Sequence, residues 1–270
     1  MAYMRGIRIE NRVKVGMEKS IPKTALVTAS GKRLGRAIAE DLASHGFAIA
    51  IHANGSTPEA EDLAASLRRD GHQATVLKAD LRDIAATAGL MTAANAALGP
   101  IGLLVNNASV FIEDSAGEFD AESFSAHFDL HVRAPSILGA QFFKQLPADA
   151  EGLIVNIIDQ RVLALTPHFY SYTLSKSALW TATQTMAQAF APRVRVNAIG
   201  PGPTLKSVRQ EEKDFQAQID ALPLLRGPRL EEFGRTIRFL FDTPSITGQM
   251  IALDGGQHLA WNAPDAEIIE

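Results

Sequence analysis

The sequence of 270 residues contains no cysteine, and it has only two tryptophans and three tyrosines. The absence of cysteine excludes disulfides, thiolate chemistry and cysteine-ligated metal, and it is consistent with a reducing compartment. No apolar run approaches the ~18 residues that suggest a membrane-spanning helix. The formal net charge of -4 gives the molecule as a whole no attraction for nucleic acid. We therefore expect a cytoplasmic protein without a metal site, and with neither a membrane nor a nucleic acid as its partner.

The first 22 residues carry several arginines and lysines but lack the apolar core of a secretory signal. They also show neither helical nor strand periodicity. We interpret residues 1–22 as a flexible N-terminal extension, with an interaction arm as the alternative. Residues 23–262 are expected to form one domain, which is followed by a C-terminal tail over residues 263–270.

Short apolar runs alternate with segments of helical periodicity from residue 24 onward. In the first helical segment, Leu34, Ile38 and Leu42 recur at helical spacing, and Gly46 supplies a stop. Strands that are apolar along nearly their whole length are buried on both faces, which indicates a parallel sheet covered by helices. The alternation predicts a single-domain, Rossmann-type, doubly wound α/β fold of about seven parallel strands with helices on both faces.

The predicted elements cover most of the chain. Strands are predicted at residues 24–29, 47–53, 74–80, 101–107, 152–158, 193–199 and 249–255. Helices are predicted at residues 34–46, 57–70, 83–98, 121–146 and 169–190, with two shorter helical pieces between 205 and 241. In such a sheet a ligand lies beyond the carboxyl ends of the strands, so the residues that follow each strand form the candidate site.

The turn after the first strand, from Thr28 to Gly35, leads directly into a helix. Free backbone N–H groups and the helix dipole make such a turn an anion site. Lys32 and Arg33 place positive charge where the phosphates of a dinucleotide would lie; the alternative is an unrelated solvated pair on the surface. The turn lacks the full G-x-G-x-x-G pattern, so by itself it indicates nucleotide binding only weakly.

The second strand ends without the carboxylate that usually holds the ribose 2′-hydroxyl of NAD. The residues at this end are His52-Ala53-Asn54-Gly55-Ser56. Asn54 and Ser56 can donate hydrogen bonds to a 2′-phosphate, and no carboxylate is present to repel one. Together with the two cations of the first turn, this predicts NADPH rather than NADH as the cofactor.

Tyr172 and Lys176 form the first candidate catalytic pair. They lie four residues apart at the start of the helix after the fifth strand, so they share one helix face. A nearby ammonium favours tyrosinate. We therefore expect Lys176 to lower the pKa of Tyr172 and to make it a proton donor near neutrality. A Y-x-x-x-K pattern is common by chance, and its place after a buried strand is what makes it informative.

These motifs, in this order and spacing, resemble the short-chain dehydrogenase/reductase family over about residues 23–262. The resemblance rests on Thr28–Gly35, Ala79-Asp80-Leu81, Asn106-Asn107-Ala108, Tyr172 with Lys176, and Pro201-Gly202. It implies an NADP(H)-dependent oxidoreductase that acts on a small molecule and assembles as a homotetramer.

The resemblance also implies where the cofactor binds. Asp80 and Leu81 are expected by the adenine, Asn107 and Ala108 by the cofactor ribose. Lys176 is expected to hold the nicotinamide ribose. The full implied set of cofactor-binding residues is Thr28, Ser30, Lys32, Arg33, Leu34, Asn54, Ser56, Asp80, Leu81, Asn107, Ala108, Ser109, Tyr172, Lys176 and, bordering the nicotinamide, Pro201 and Gly202.

Four positions depart from the usual pattern of the family. The turn has Ala29 and Arg33 where the family usually has glycines. Asp159 occupies the usual position of the catalytic serine, thirteen residues before the tyrosine. His131 replaces a helical asparagine that usually supports a proton relay. We leave two interpretations of His131 open: it substitutes for the asparagine as a relay or brace, or it is an ordinary helix histidine with satisfied hydrogen bonds.

Two of these departures resemble one subgroup, the pteridine reductases and their bacterial relatives that reduce dihydromonapterin or dihydrofolate. The shared motifs are Lys32-Arg33-Leu34-Gly35, Asn106-Asn107-Ala108-Ser109-Val110-Phe111, Asp159, and His52 with Ser56, although Gly55 stands where the subgroup often has arginine. The resemblance assigns the catalytic roles to Asp159, Tyr172 and Lys176, with Asp159 and Tyr172 as the proton relay. Phe111 is expected to stack the flat substrate ring against the nicotinamide. The implied substrate-binding residues are Arg33, Ser109, Phe111, Asp159 and Tyr172.

A carboxylate at position 159 fits this chemistry. A ketone reductase binds the carbonyl oxygen with a hydroxyl donor, and an ionised carboxylate would repel that oxygen. A pterin instead presents N–H donors that a carboxylate can accept, and its C=N bonds need a hydride on carbon and a proton on nitrogen. We therefore predict NADPH-dependent reduction of a pterin, such as dihydromonapterin, dihydrobiopterin or a dihydrofolate-like substrate. The alternatives are a reductase or dehydrogenase of another small carbonyl or alcohol, and a cofactor-binding protein without turnover.

Overall fold

The computed structural model describes residues 20–206 and 211–260. Most of the predicted extension (residues 1–22) and all of the predicted tail (residues 263–270) lie outside the described residues. The last residues of the extension contact the domain. The Glu151 N–H donates to the Ser20 carbonyl at 3.4 Å. Pro22 lies so close to Gly102 that a Cβ there would be 2.1 Å from the Pro22 oxygen.

A seven-stranded sheet forms the centre of the described part, with the strand order β3-β2-β1-β4-β5-β6-β7. The strands are β1 (Thr24–Val27), β2 (Ala48–Ala53), β3 (Ala74–Lys78), β4 (Leu103–Asn106), β5 (Gly152–Ile157), β6 (Val194–Pro201) and β7 (Met250–Leu253). Every neighbouring pair is parallel. The strand order reverses between β1 and β4, which opens a crevice at their carboxyl ends. The predicted doubly wound α/β fold is thereby confirmed.

Helices cover both faces of the sheet. They are α1 (Arg33–Ser44), α2 (Thr57–Arg69), α3 (Ile84–Leu98), α4 (Ala121–Phe128), α5 (Ala134–Gln145), α6 (Tyr170–Phe190), α7 (Glu212–Asp220) and α8 (Leu230–Asp242). Among the described helices, none combines the length and the apolar character that crossing a membrane requires.

The core consists of two apolar layers, one on each face of the sheet. Successive residues of a strand point to opposite faces, so Ala25 and Val27 belong to one layer and Leu26 to the other. The first layer includes Ile38 of α1, Leu63 of α2 and Phe233 of α8. The second includes Met91 of α3 and Leu138 and Phe142 of α5. These layers hold the strand ends in fixed positions around the crevice.

The helical region predicted at residues 121–146 contains an interruption. A π-helical turn, Asp129–Arg133, joins α4 to α5. Such turns are rare and are frequently found at functional sites. The π turn carries His131, which is only 1% exposed and faces α6. A period of 3.6 residues in the sequence does not reveal this local change of winding.

Candidate active site

The turn after β1 has an unusual backbone. Ala29 and Arg33 adopt left-handed conformations, with φ of 51° and 52°. These are the two positions where the sequence lacks the glycines of the family pattern, so the chain keeps a glycine-type backbone with larger residues. Gly35 cannot be replaced in this way. A Cβ at Gly35 would lie 2.4 Å from the Ala29 oxygen and 2.6 Å from Asn107 Nδ2.

Thr28 ties this turn to the end of β4. Its hydroxyl oxygen accepts the N–H groups of Asn107 at 2.8 Å and Ala108 at 2.9 Å. Asn107 Nδ2 in turn donates to the Thr28 carbonyl at 2.9 Å. Ser30 is fully buried, and its hydroxyl donates to the Val27 carbonyl at 2.8 Å. Thr28, Ser30, Asn107 and Ala108 therefore shape the turn, as buried polar groups that satisfy one another.

His52 braces the same turn from β2, a role that the sequence did not suggest. The Ala29 N–H donates to His52 Nδ1 at 3.0 Å, and His52 Nε2 contacts the Ala79 carbonyl at 3.1 Å. Because a main-chain N–H can only donate, Nδ1 carries the lone pair and Nε2 the proton. Burial lowers the pKa of His52, which favours this neutral form. The signal available in the sequence was His52 itself, at a strand end and in a motif shared with the pteridine-reductase subgroup.

The structure brings only some of the residues predicted around the adenine and the 2′-phosphate close to one another. The Lys32 ammonium forms an ion pair with Glu59 at 2.5 Å, and Lys32 lines the same cavity as Ser56. Asn54 hydrogen-bonds Asp80 and helps to lower the pKa of that carboxyl, after the larger effect of Arg82. The side chain of Leu81 is buried in the core beside α3, and its place by the adenine stays a prediction. The Leu81 carbonyl accepts the Thr87 hydroxyl at 3.0 Å.

Asp159, Tyr172 and Lys176 lie together at the carboxyl end of β5. The Tyr172 hydroxyl donates to Asp159 Oδ2 at 2.9 Å. Asp159 Oδ1 accepts the Arg161 N–H at 2.8 Å, which fixes the carboxyl group. Lys176 is 2% exposed; its Nζ donates to the Ile157 carbonyl at 2.9 Å and lies 5.6 Å from the centre of the Tyr172 ring. The three predicted catalytic side chains thus form one contiguous group.

The electrostatics of this group differ from the expectation drawn from the sequence. Burial and the Asp159 charge raise the pKa of Tyr172 well above its usual value, against smaller opposing effects of Arg161 and Ser109. The expectation that Lys176 lowers the pKa of Tyr172 is therefore wrong. Burial raises the pKa of Asp159 and lowers the pKa of Lys176 to about 8. Desolvation is the largest cause of the pKa shift in all three groups, and helix spacing does not reveal it.

An aromatic wall borders the catalytic group. The rings of Phe111 and Phe169 stack with their centroids 4.1 Å apart, and the edge of Tyr172 meets Phe111 at 4.7 Å. The Arg161 guanidinium lies 5.0 Å from the centre of the Phe169 ring. Phe111 is 38% exposed, so its ring is within reach of a ligand. The sequence singled out Phe111 but gave no sign of Phe169, because the contact links two separate loops.

Two adjoining cavities meet at Asp159 and Tyr172. The larger, of about 750 Å³, is lined by Arg33, Phe111, Asp159, Gln160, Arg161, Phe169, Tyr172, Pro201, Gly202 and residues of α7, among others. The smaller, of about 370 Å³, is lined by Lys32, Arg33, Leu34, Ser56, Asn107, Ser109, Asp159, Tyr172, Lys176 and Pro201, among others. The larger volume is typical of a site for a small molecule. Across residues 20–206 and 211–260, no group of three histidines or carboxylates is placed to hold a metal ion.

Gly202 and Arg33 shape the border between the loop after β6 and the turn after β1. A Cβ at Gly202 would lie 2.6 Å from the Asp254 Cα, so this position requires glycine. The Arg33 guanidinium donates to the carbonyls of Leu205 at 3.4 Å and Lys206 at 3.2 Å. Arg33 therefore links the turn after β1 to the opposite wall of the cavities.

Comparison with known proteins agrees with this geometry. The family model described as short chain dehydrogenase matches residues 23–217. The oxidoreductase UcpA of Escherichia coli (strain K12) is 30% identical over 257 residues, which cover 90% of this chain and 97% of that protein.

Two solved structures share the fold. The FolM alternative dihydrofolate reductase 1 from Brucella canis, complexed with NADP, is 56% identical with a TM-score of 0.88, covering 90% of this chain and 96% of that chain. A blue fluorescent protein from a metagenomic library, in complex with NADPH, is 28% identical with a TM-score of 0.80, covering 86% of this chain and 96% of that chain. The chain belongs to the short-chain dehydrogenase/reductase family of oxidoreductases.

Proposed function

We propose that this protein reduces a pterin with NADPH, by hydride transfer to a C=N bond of a dihydromonapterin-, dihydrobiopterin- or dihydrofolate-like substrate. The observation that carries the proposal is the hydrogen bond between Asp159 and Tyr172, at the junction of the two cavities. The 56% identity to a FolM dihydrofolate reductase supports the same substrate class.

The residues at the crevice fit NADP(H), with which the similar structures are complexed. Gly35 leaves the close approach that a pyrophosphate needs at the start of α1. Lys32, Arg33, Ser56 and Lys176 line one cavity. We assign the first three to the phosphates of the cofactor and Lys176 to its nicotinamide ribose. When bound, the reduced cofactor supplies the hydride.

The chain itself supplies binding, orientation and the proton. Tyr172 holds its phenolic proton in the hydrogen bond to Asp159 until the substrate nitrogen accepts it. Asp159, when ionised, accepts N–H donors of the substrate and repels a carbonyl oxygen. Phe111 already stacks on one planar group, Phe169, and we assign it the corresponding contact with a flat substrate ring.

A second candidate is the reduction of another small carbonyl, or the oxidation of an alcohol, on the same scaffold. It is favoured by the general oxidoreductases among the relatives, such as UcpA at 30% identity. The Asp159 carboxylate, hydrogen-bonded to Tyr172 where the two cavities meet, argues against it. A cofactor-binding protein without turnover is disfavoured by the intact group of Asp159, Tyr172 and Lys176.

The substitution Asp159→Ser tests the assignment. NADPH oxidation is followed with dihydromonapterin, dihydrobiopterin and dihydrofolate, and with a panel of ketones. We expect pterin reduction to fall by roughly 10²–10⁴-fold, the usual size of a general acid–base contribution. Ketone reduction should stay level or rise, because the change restores a hydroxyl donor.

Two tyrosine variants serve as the matched control. Tyr172→Phe should remove activity of either kind, whereas Tyr170→Phe, at the first residue of α6, should keep it. The proposal fails if Asp159→Ser turns over pterins as fast as the wild type. It also fails if the wild type reduces ketones and ignores all three pterins.

A further inference from the structure

A buried polar network lies behind Tyr172 and is not explained by the proton relay. His131 joins the loop after β4 to α6, with Nδ1 at 2.8 Å from Ser175 Oγ and Nε2 at 2.9 Å from Ser109 Oγ. The Val110 N–H donates to the same Nε2 at 3.2 Å. Ser175 is fully buried and His131 nearly so, which means that the hydrogen bond between them replaces bonds to water, whereas Ser109 is exposed.

The contacts fix the tautomer of His131. The Val110 N–H can only donate, so Nε2 carries the lone pair. The Ser175 hydroxyl donates to the Tyr172 carbonyl at 2.7 Å, and its oxygen is then left to accept from the imidazole. The proton of the neutral ring is therefore on Nδ1. Burial, followed by the charge of Lys176, lowers the pKa of His131 well below its usual value, in keeping with a neutral ring.

The Ser109 hydroxyl has three acceptors within reach. Two are the Val110 carbonyl at 3.3 Å and His131 Nε2, which already accepts the Val110 N–H. The third is the Tyr172 phenol oxygen: both residues line the smaller cavity, and a hydrogen bond from Ser109 lowers the pKa of Tyr172 against the larger effects that raise it. When Tyr172 gives its proton to the substrate nitrogen, its oxygen becomes anionic. The charged oxygen is then the stronger acceptor, and the hydroxyl can turn towards it.

The other neighbours of the phenol oxygen are less able to serve as this donor. Asp159 is an acceptor in its ionised form. The Lys176 ammonium lies 5.6 Å from the centre of the Tyr172 ring and donates to the Ile157 carbonyl. Ser109 approaches from the loop after β4, and its hydroxyl can turn from the Val110 carbonyl or His131 Nε2 towards the phenol oxygen.

We propose that Ser109 is a catalytic residue that donates a hydrogen bond to the Tyr172 oxygen as it loses its proton, and that His131 is the positioning residue that holds Ser109 in reach. The inference rests on the proposed function for the direction of the proton transfer, but not on which pterin is reduced. His131 lines neither of the two cavities described above. It reaches the site through Ser109, or through Ser175 and its own edge-to-face contact with the Tyr172 ring at 5.5 Å, and the double variant below separates these two routes.

Turnover measurements on single and double variants test the proposal in the full-length enzyme. Ser109→Ala should lower kcat by roughly 10- to 100-fold, the size expected for a hydrogen bond to a charged group. His131→Leu should lower kcat to a similar extent and leave the Kd of NADPH within about twofold, because residues outside the cofactor contacts act nearly independently of its binding. His131→Asn, which keeps a hydrogen-bond acceptor, should recover part of the loss.

The decisive comparison is the double variant. If His131 acts through Ser109, then Ser109→Ala with His131→Leu should be no slower than Ser109→Ala alone, since coupled effects are not additive. If the double variant instead loses kcat by the product of the two single losses, His131 has a separate, merely structural role and the proposal is overturned. His45→Asn is the matched control, because His45 is exposed at the end of α1 and contacts Asp41 and Ser44, far from Tyr172. Its kcat should change by less than about threefold.

Nitrogen-15 NMR of the histidine rings supplies a test that needs no substrate. The resonances of His131, assigned by their loss in His131→Asn, should show a proton on Nδ1 and an unprotonated Nε2. A proton on Nε2 would overturn the network even if kcat falls in the variants. A wild type that reduces none of the pterins would refute the proposed function alone. An active wild type whose kcat is unchanged by Ser109→Ala would refute this inference alone.

Discussion

Replacing Ala29 by glycine should stabilise the protein, although the same change usually destabilises one. Ala29 has a φ of 51° in the turn after β1. A residue with a Cβ loses about 1–2 kcal/mol in this left-handed region. Glycine avoids that cost but loses about 0.5–1 kcal/mol in backbone entropy on folding. The net gain should be about 0.5–1 kcal/mol, or a rise in Tm of roughly 1–4 °C for a chain of this size. The N–H bond to His52 remains, because it comes from the main chain.

The assay is thermal unfolding followed by circular dichroism, with Ala93→Gly as the matched control. Ala93 lies exposed in the interior of α3. There the same change costs about 1 kcal/mol, because glycine is a poor helix former. The two variants should therefore shift Tm in opposite directions. If Ala29→Gly lowers Tm as Ala93→Gly does, then the left-handed strain ascribed to Ala29 is wrong.

The remaining predictions concern the cofactor and the buried lysine. NADPH should bind about tenfold to a hundredfold more tightly than NADH, from charge-assisted hydrogen bonds to the 2′-phosphate. In a fluorescence titration, Lys32→Ala should reduce that preference by only about threefold to tenfold, since Lys32 is half exposed and already paired with Glu59. Lys176 has a pKa of about 8 when folded against 10.5 when unfolded. The unfolded chain binds more protons between these values, so this lysine makes the free energy of unfolding rise with pH there. Urea unfolding of the cofactor-free protein across this range should show a flatter pH dependence in Lys176→Met. An unchanged slope would show that Lys176 titrates normally in the folded protein.

All seven strands could be predicted from the sequence because each is a nearly continuous apolar run. The errors lie mainly at the carboxyl ends. The first strand was predicted to reach Ala29, but β1 ends at Val27. Ala79 was likewise placed in the third strand, although β3 ends at Lys78. Small apolar residues in the turns after these strands continue the apolar pattern after the strand pairing has stopped.

The candidate site could be predicted where both the residue types and their spacing in the sequence point to the same chemistry. Tyr172 and Lys176 share a helix face, and Asp159 follows a strand that ends beside them. Three features depend on contacts between distant segments, and no local pattern encodes them. They are the His52 brace of the turn after β1, the stacking of Phe169 on Phe111, and the π turn that buries His131.

The raised pKa of Tyr172 is compatible with a role as proton donor. A C=N nitrogen that gains the electron pair of the bond is a far stronger base than a phenolate, so the proton moves downhill even from a weakly acidic phenol. The site has to keep the proton on Tyr172 until the substrate accepts it. In the resting state, burial and the neighbouring Asp159 hold the proton there because they raise the pKa of Tyr172. After the transfer, Ser109 and Arg161 are the groups that favour the anion. The phenol oxygen therefore lies between an acceptor that keeps the proton in place and a donor that becomes useful only once the proton has left.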